Sequence, residues 1–121
     1  MKKSENAIVD KSFDFSVRIV KLYKYLIKRD KDLISLYDQI LCSGTSIGAN
    51  VSESQAAASK ADFRNKLRIS LKEAYETEFW LKLFFKSEIL DKKEFESLLK
   101  DCFELIKLLT SIIKNVNSKS I

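Results

Sequence analysis

Apolar residues recur along this chain at the three- and four-residue spacing of helices, in four blocks separated by short polar breaks. The first block covers residues 13–29. Phe15, Ile19, Leu22 and Leu26 fall on one line, and Val17, Val20, Tyr23 and Ile27 widen it into a broad apolar face. Ser12 or Asp10 is placed to cap its start. Asp30-Lys31-Asp32 interrupts the pattern and offers an N-cap for a second helix over 33–57, with Leu36, Tyr37, Ile40, Ile47 and Val51 facing inward. The middle of that helix, from Cys42 to Asn50, is rich in residues that disfavour helices in isolation. The spacing Ile40, Ser43/Gly44, Ile47, Val51 nevertheless continues one face, so the pattern predicts helix there, with small residues that let a neighbouring helix come close.

A third helix, over 60–87, opens on Ser59-Lys60-Ala61-Asp62, which has the spacing of a capping box. Its seam reads Phe63, Leu67, Leu71, Ala74, Leu81 and Phe85, broadened by Trp80 and Phe84. Asp91-Lys92-Lys93-Glu94 opens a fourth helix over 92–116. There Phe95, Leu98/Leu99, Cys102, Leu105/Ile106, Leu109, Ile112/Ile113 and Val116 approach a heptad pattern, and fraying is expected from Asn117 onward. Four amphipathic helices with short connections pack most simply as an all-α, antiparallel up-down four-helix bundle. No repeat or second domain is visible in the 121 residues.

Composition narrows the picture further. The chain has no proline and two glycines, Gly44 and Gly48, too few for the many turns of a β-rich fold. It has no histidine, and the two cysteines, Cys42 and Cys102, lie far apart. Zinc ligand sets are thereby excluded, and both thiols are expected reduced and packed as small apolar groups. Neither a P-loop nor a dinucleotide turn nor a nucleophile elbow can be built from two glycines. No stretch reaches the ~20 apolar residues of a membrane span, and the lysines at the start are not followed by an apolar signal core. A cytoplasmic protein with no cofactor, no metal, no membrane contact and no small-molecule substrate is expected.

Carboxylates are the remaining chemistry. Glu73 and Glu76 lie three apart, and Glu53 lies on the preceding helix. A hard metal would need all three to converge, without the Glu-x-x-His motif that di-metal bundles add. A polar seam is the better reading. Gln39, Ser43, Ser46, Asn50 and Glu53 form one stripe down the second helix, suited to solvent or to contact with another subunit, with Glu73 and Glu76 as acceptors.

Charge is unevenly spread. The total of +5 hides nine basic and four acidic groups in residues 1–31, and five basic and one acidic in 60–72. Residues 73–104 carry five basic and nine acidic groups. Arg18, Lys21, Tyr25 and Lys28 share a face of the first helix, with Lys24 nearby, and Lys60, Arg64, Arg68 and Lys72 recur every four residues on the third. Such stripes can track phosphates, and Tyr25 could stack on a base. A scaffold whose surface near Trp80, Phe84 and Phe85 binds protein is the alternative.

The strings Ser43-Gly44-Thr45-Ser46-Ile47-Gly48-Ala49-Asn50-Val51-Ser52-Glu53 and Leu67-Arg68-Ile69-Ser70-Leu71-Lys72-Glu73-Ala74-Tyr75-Glu76-Thr77-Glu78-Phe79-Trp80-Leu81, with Ser59–Phe63 between them, carry a resemblance. They resemble the bacterial four-helix-bundle proteins encoded in intervening sequences of 23S rRNA genes, to which the accessory variability proteins of diversity-generating retroelements are related. The resemblance implies a four-helix protomer assembled into a ring-shaped homo-oligomer, typically a pentamer. Its basic surface, in the retroelement members, engages nucleic acid and a reverse transcriptase. The family's motif positions fall on Ser46, Asn50, Glu53, Phe63, Leu67, Glu73, Glu76 and Leu81. Ser52 stands where a basic residue or alanine is frequent, Gln55-Ala56-Ala57-Ala58 where glycine is common, and Phe79 where tyrosine is usual.

Overall fold

A computed structural model describes the backbone of residues 3–119 and the side chains of residues 5–116. Four helices and no strand are found among the described residues: α1 Lys3–Arg29, α2 Ile34–Ser54, α3 Lys60–Lys86 and α4 Lys92–Lys119. Each packs closely on two neighbours, α1 on α2 and α4, and α3 on α2 and α4, while among the described residues the Cα atoms of the diagonal pairs come no nearer than 8 Å. Side-chain contacts fix the directions. On the α1–α2 seam Tyr23 meets Asp38, while Ile19 faces Gly44 further along. Ser43 meets Thr77 and Ile47 meets Ser70 between α2 and α3. Cys102 meets Ala74 and Phe95 stacks on Phe85 between α3 and α4, while Lys11 meets Glu104 and Arg18 meets Asp101 between α1 and α4. All four seams are antiparallel, which is the up-down bundle. No helix is long and apolar enough to cross a membrane, among the described residues.

The first helix begins ten residues before the boundary the pattern predicts. Ser12 and Asp10 therefore cap nothing. Ser12 is a buried residue inside α1 and donates its hydroxyl proton to the Val9 carbonyl at 3.3 Å. The apolar line extends back to Ile8, which is buried, so packing rather than a cap sets how far α1 runs. At the α1–α2 turn, Asp30 accepts from the Asp32 amide at 2.9 Å and shapes the turn, but α2 starts after Leu33 with no side-chain cap. That helix ends at Ser54, short of the predicted 57, and α4 continues past the predicted 116 to Lys119. The third and fourth starts follow the sequence. The Asp62 amide donates to Ser59 Oγ at 3.1 Å, and the Glu94 amide donates to Asp91 Oδ1 at 2.8 Å. Ser59's partner in the capping box, Asp62, reaches back to the Ala58 amide at 3.2 Å instead of to Ser59's own.

The core is one cluster drawn from all four helices, including Phe15, Ile19, Leu22 and Leu26 of α1 and Leu98, Cys102, Leu105 and Leu109 of α4. Two lines differ from expectation. Val17 and Val20 stay outside, turned toward solvent. On α3 the innermost line runs Leu67, Ser70, Ala74, Thr77, Leu81 and Phe84, leaving Phe63, Leu71 and Phe85 half-buried on the flanks. Two hydroxyls therefore sit where methylenes would be usual, and both are satisfied. Ser70 donates to the Ile47 carbonyl at 2.8 Å, and Thr77 donates to the Glu73 carbonyl at 2.8 Å while meeting Ser43 Oγ at 2.9 Å.

The small-residue stretch of α2 is helical and does bring its neighbour close. A Cβ added at Gly44 would stand 2.8 Å from Ile19 Cγ1, and one at Gly48 would stand 3.0 Å from the Ser12 carbonyl oxygen. Hydrogen at these two positions is what lets α1 settle against α2.

Candidate nucleic-acid interface

Each basic stripe lies on a helix whose opposite face is held in the core. On α1, burial of Leu22 and Leu26 turns Lys21, Lys24 and Lys28 to the outside, and all three are exposed. No ion pair engages them among the described residues. Arg18 has a different fate. Its Nη1 lies 2.6 Å from Asp101 Oδ2, its Nη2 lies 3.6 Å from Glu94 Oε1, and it donates to Ser97 Oγ at 3.1 Å. With three partners on α4, Arg18 is a clasp across the α1–α4 seam and is withdrawn from the stripe. Tyr25 is exposed, but its ring lies under the Arg29 guanidinium at 5.6 Å, so one partner for stacking is already supplied by its own helix.

Beside this stripe a cleft of about 360 Å³ opens between α1 and the α3–α4 turn. Leu22, Ile89 and Leu90 line it together with Arg18, Lys21, Arg29, Asp91 and Glu94. Charges of both signs face each other there.

On α3, burial of Leu67, Ser70 and Ala74 turns Arg68 and Lys72 outward, and Lys60 is exposed in the first turn. Arg64 is half-buried. Lys66, two residues from both Arg64 and Arg68 and so off the stripe, pairs with Glu53 at 3.1 Å. The two stripes do not form one surface. They sit on diagonal helices, and their axial levels differ. Tyr23 and Asp38 tie the lysines of α1 to the start of α2, whereas Lys66 and Glu53 tie the α3 cations to its end.

The polar stripe of α2 lies along its seam with α3. Ser43 is sealed inside, Ser46 and Asn50 are half-buried, and Gln39 and Glu53 are exposed. Asn50 Nδ2 donates to the Ser46 carbonyl at 2.8 Å, within its own helix. Across the seam, Glu73 is half-buried and Glu76 exposed. Burial raises the Glu73 carboxyl above its ordinary range, and the hydrogen bond and charge of Glu76 raise it further, against Lys72. Among the described residues, no three His, Cys, Asp or Glu side chains gather to hold a metal.

Exposure differs from expectation at the aromatic end of α3 and at one cysteine. Phe84 is fully buried, and Phe85 stacks on Phe95 at 4.4 Å, so neither forms the protein-binding surface expected near Trp80. Trp80 is half-buried, with its indole N–H enclosed and lacking an acceptor among the described residues. Of the cysteines, Cys102 is packed in the core, where burial pushes its thiol up to about 12, but Cys42 is exposed. The aromatic side chains that are open to solvent on α3 are Tyr75 and Phe79, 53% and 57% exposed. Neither is among the residues expected to bind a ligand. Their spacing from Arg68 and Lys72, four, three and four residues, was the available signal.

Comparison with known proteins was consistent with this architecture. A crystal structure of a protein of unknown function from the S23 ribosomal protein family of Bacteroides thetaiotaomicron is 51% identical, over 92% of this chain and 98% of that one, with a TM-score of 0.88. No curated protein matches. Residues 4–111 match the family described as 23S rRNA-intervening sequence protein, and with so much of its length matched the chain belongs to that family.

Proposed function

We propose that this is a non-enzymatic, self-assembling cytoplasmic protein that holds RNA, free or within a nucleoprotein, by its phosphates through the basic faces of α1 and α3. The observation that carries this reading is the state of the cations. Lys21, Lys24, Lys28, Lys60, Arg68 and Lys72 are exposed, and no ion pair engages them among the described residues. Cations held this way release counterions when they meet phosphates, which is the main source of sequence-independent affinity. Their position on two diagonal helices suits a strand that passes over more than one protomer of an assembly such as the five-membered ring implied by the family resemblance.

Exposed apolar residues support the self-assembly. Phe13 is 68% exposed, and Val17 and Val20 follow it at helical spacing along the outside of α1. Left in water, that stripe is an association surface. It also favours a second reading, a scaffold that binds a protein and no nucleic acid. Ser46, Asn50, Glu73 and Glu76, at the edge of the α2–α3 seam, add polar contacts to either kind of assembly.

Light scattering with ultraviolet absorbance, on protein purified at low and then at high salt, separates these readings. An oligomer that carries nucleic acid at low salt and sheds it at high salt is the expected result. A clean oligomer at both salts points to the scaffold, and a clean monomer overturns the assembly.

A further inference from the structure

We infer that the outer face of α3 is a platform for single-stranded RNA, on which Tyr75 and Phe79 stack against unpaired bases while Arg68 and Lys72 hold the adjoining phosphates. The inference rests on the nucleic-acid reading above and narrows it to one helix and one form of the ligand.

The outer stripe of α3 runs Arg64, Arg68, Lys72, Tyr75, Phe79, Lys82 and Lys86, at spacings of three or four residues that keep it on one line. From Arg68 to Lys86 every member of it is exposed. The acids of this helix, Asp62, Glu73, Glu76 and Glu78, all fall off the line, so the stripe is basic and aromatic without interruption. Glu78 does reach Lys82 from the side at 2.6 Å, which leaves Arg68, Lys72 and Lys86 as the exposed cations that no ion pair engages, among the described residues. Among the described residues α1 has no such uninterrupted run, because Arg18 is clasped to α4 and Tyr25 already faces Arg29.

Tyr75 and Phe79 place two large rings in water next to each other on one helix face. Trp80 braces Phe79 from one side, with ring centroids 5.0 Å apart, which holds the ring out from the helix. Tyr75 and Phe79 are one turn apart, ~6 Å along the axis, within reach of two neighbouring splayed bases. A duplex hides its base faces and could use only the cations. A single strand offers both π-faces and phosphates, and this stripe sets two adjacent rings between cations that can meet them.

The test compares a labelled short oligouridine with an RNA duplex carrying equal phosphates, by fluorescence anisotropy at one salt concentration. Wild-type protein is expected to bind the single strand more tightly. Replacing both rings, Tyr75→Leu with Phe79→Leu, should weaken oligouridine binding by roughly 5- to 150-fold per base unstacked and leave duplex binding unchanged. Arg68→Ala with Lys72→Ala should weaken both. Because all four positions are exposed, helicity should be retained. Should the leucine variant not fold, photocrosslinking of 5-iodouridine RNA to wild-type protein answers the same question, with adducts expected on Tyr75 or Phe79. Equal affinity for single strand and duplex, unchanged oligouridine binding by the leucine variant, or adducts only elsewhere would overturn the platform while RNA binding stood. A leucine variant that falls from oligomer to monomer would show that a second copy covers these rings, and would overturn it too. Wild-type protein that binds neither RNA removes the nucleic-acid reading itself.

Discussion

Replacing Gly44 by alanine pits two known effects against each other at a site where the structure says which wins. Alanine is the better helix former by ~1 kcal/mol in a helix interior, so on propensity alone the change stabilises α2. The new methyl would stand 2.8 Å from Ile19 Cγ1 and 2.9 Å from Cγ2. Those two carbons sit on the branched Cβ of a side chain with no exposed surface, and in a helix isoleucine has one strongly preferred rotamer. Ile19 cannot swing aside, so α1 and α2 must part. Overpacking of this kind costs ~1–3 kcal/mol, and two contacts this short belong in the upper half of that range. The net expectation is a loss of about 1–2 kcal/mol, seen as a lower urea midpoint by far-ultraviolet circular dichroism, or a Tm lower by roughly 4 °C per kcal/mol. A double-mutant cycle sharpens the test. Ile19→Ala alone should cost ~2–5 kcal/mol, but in the Gly44→Ala background it removes the clashing carbons, and a favourable coupling of ~1–3 kcal/mol is expected. Ile19→Val keeps both nearest carbons and should show little coupling. A Gly44→Ala protein as stable as wild type, or additive behaviour with Ile19→Ala, would refute the close approach.

Further expectations follow from single groups. Arg18→Ala should cost up to ~1 kcal/mol of stability, since its ion pairs are partly exposed, yet leave RNA affinity within about twofold, the reverse of Arg68→Ala. Glu73 has a folded pKa raised above the ordinary 4.5, so the folded chain holds more protons than the unfolded one just above that value. Stability attached to this group is complete below 4.5 and is lost as pH rises through the folded pKa. Glu73→Gln should therefore raise Tm at neutral pH and make no difference well below 4.5, as a thermal scan against pH would read. With Cys42 exposed and the Cys102 thiol buried and pushed up to about 12, native protein should react quickly with one equivalent of thiol reagent, and with the second only on unfolding.

Much of the fold was legible because each helix carries its own apolar period and two of them carry their own caps. Ser59 and Asp91 act where their spacing places them, since a cap is decided within four residues of sequence. The start of α1 was not legible, because Ser12 looks like a cap until its hydroxyl is seen satisfied within the helix by Val9. Phe84 and Phe85 show the second limit. Adjacent residues differ by ~100° around a helix, and one helix alone cannot say which apolar line turns inward. That choice came from α2, whose Ser43 and Ile47 offer partners to Thr77 and Ser70. Arg18 shows the third. Its removal from the basic stripe depends on Asp101, eighty-three positions away. The exposed rings of Tyr75 and Phe79 were hidden by the same uncertainty in the inner line, because a seam through Leu71 and Phe85 rotates the outside of α3 away from them.

Whether this protein holds RNA by its phosphates is decided by the salt dependence of binding. A plot of log Kobs against log salt for single-stranded RNA has a slope of about −0.7 for each phosphate neutralised. If α3 supplies contacts through Arg68 and Lys72, wild-type protein should give a clearly negative slope, and Arg68→Ala with Lys72→Ala should flatten it by roughly 1.4. Binding that does not change with salt, or a slope that survives the loss of both residues, would rule out phosphate capture by α3.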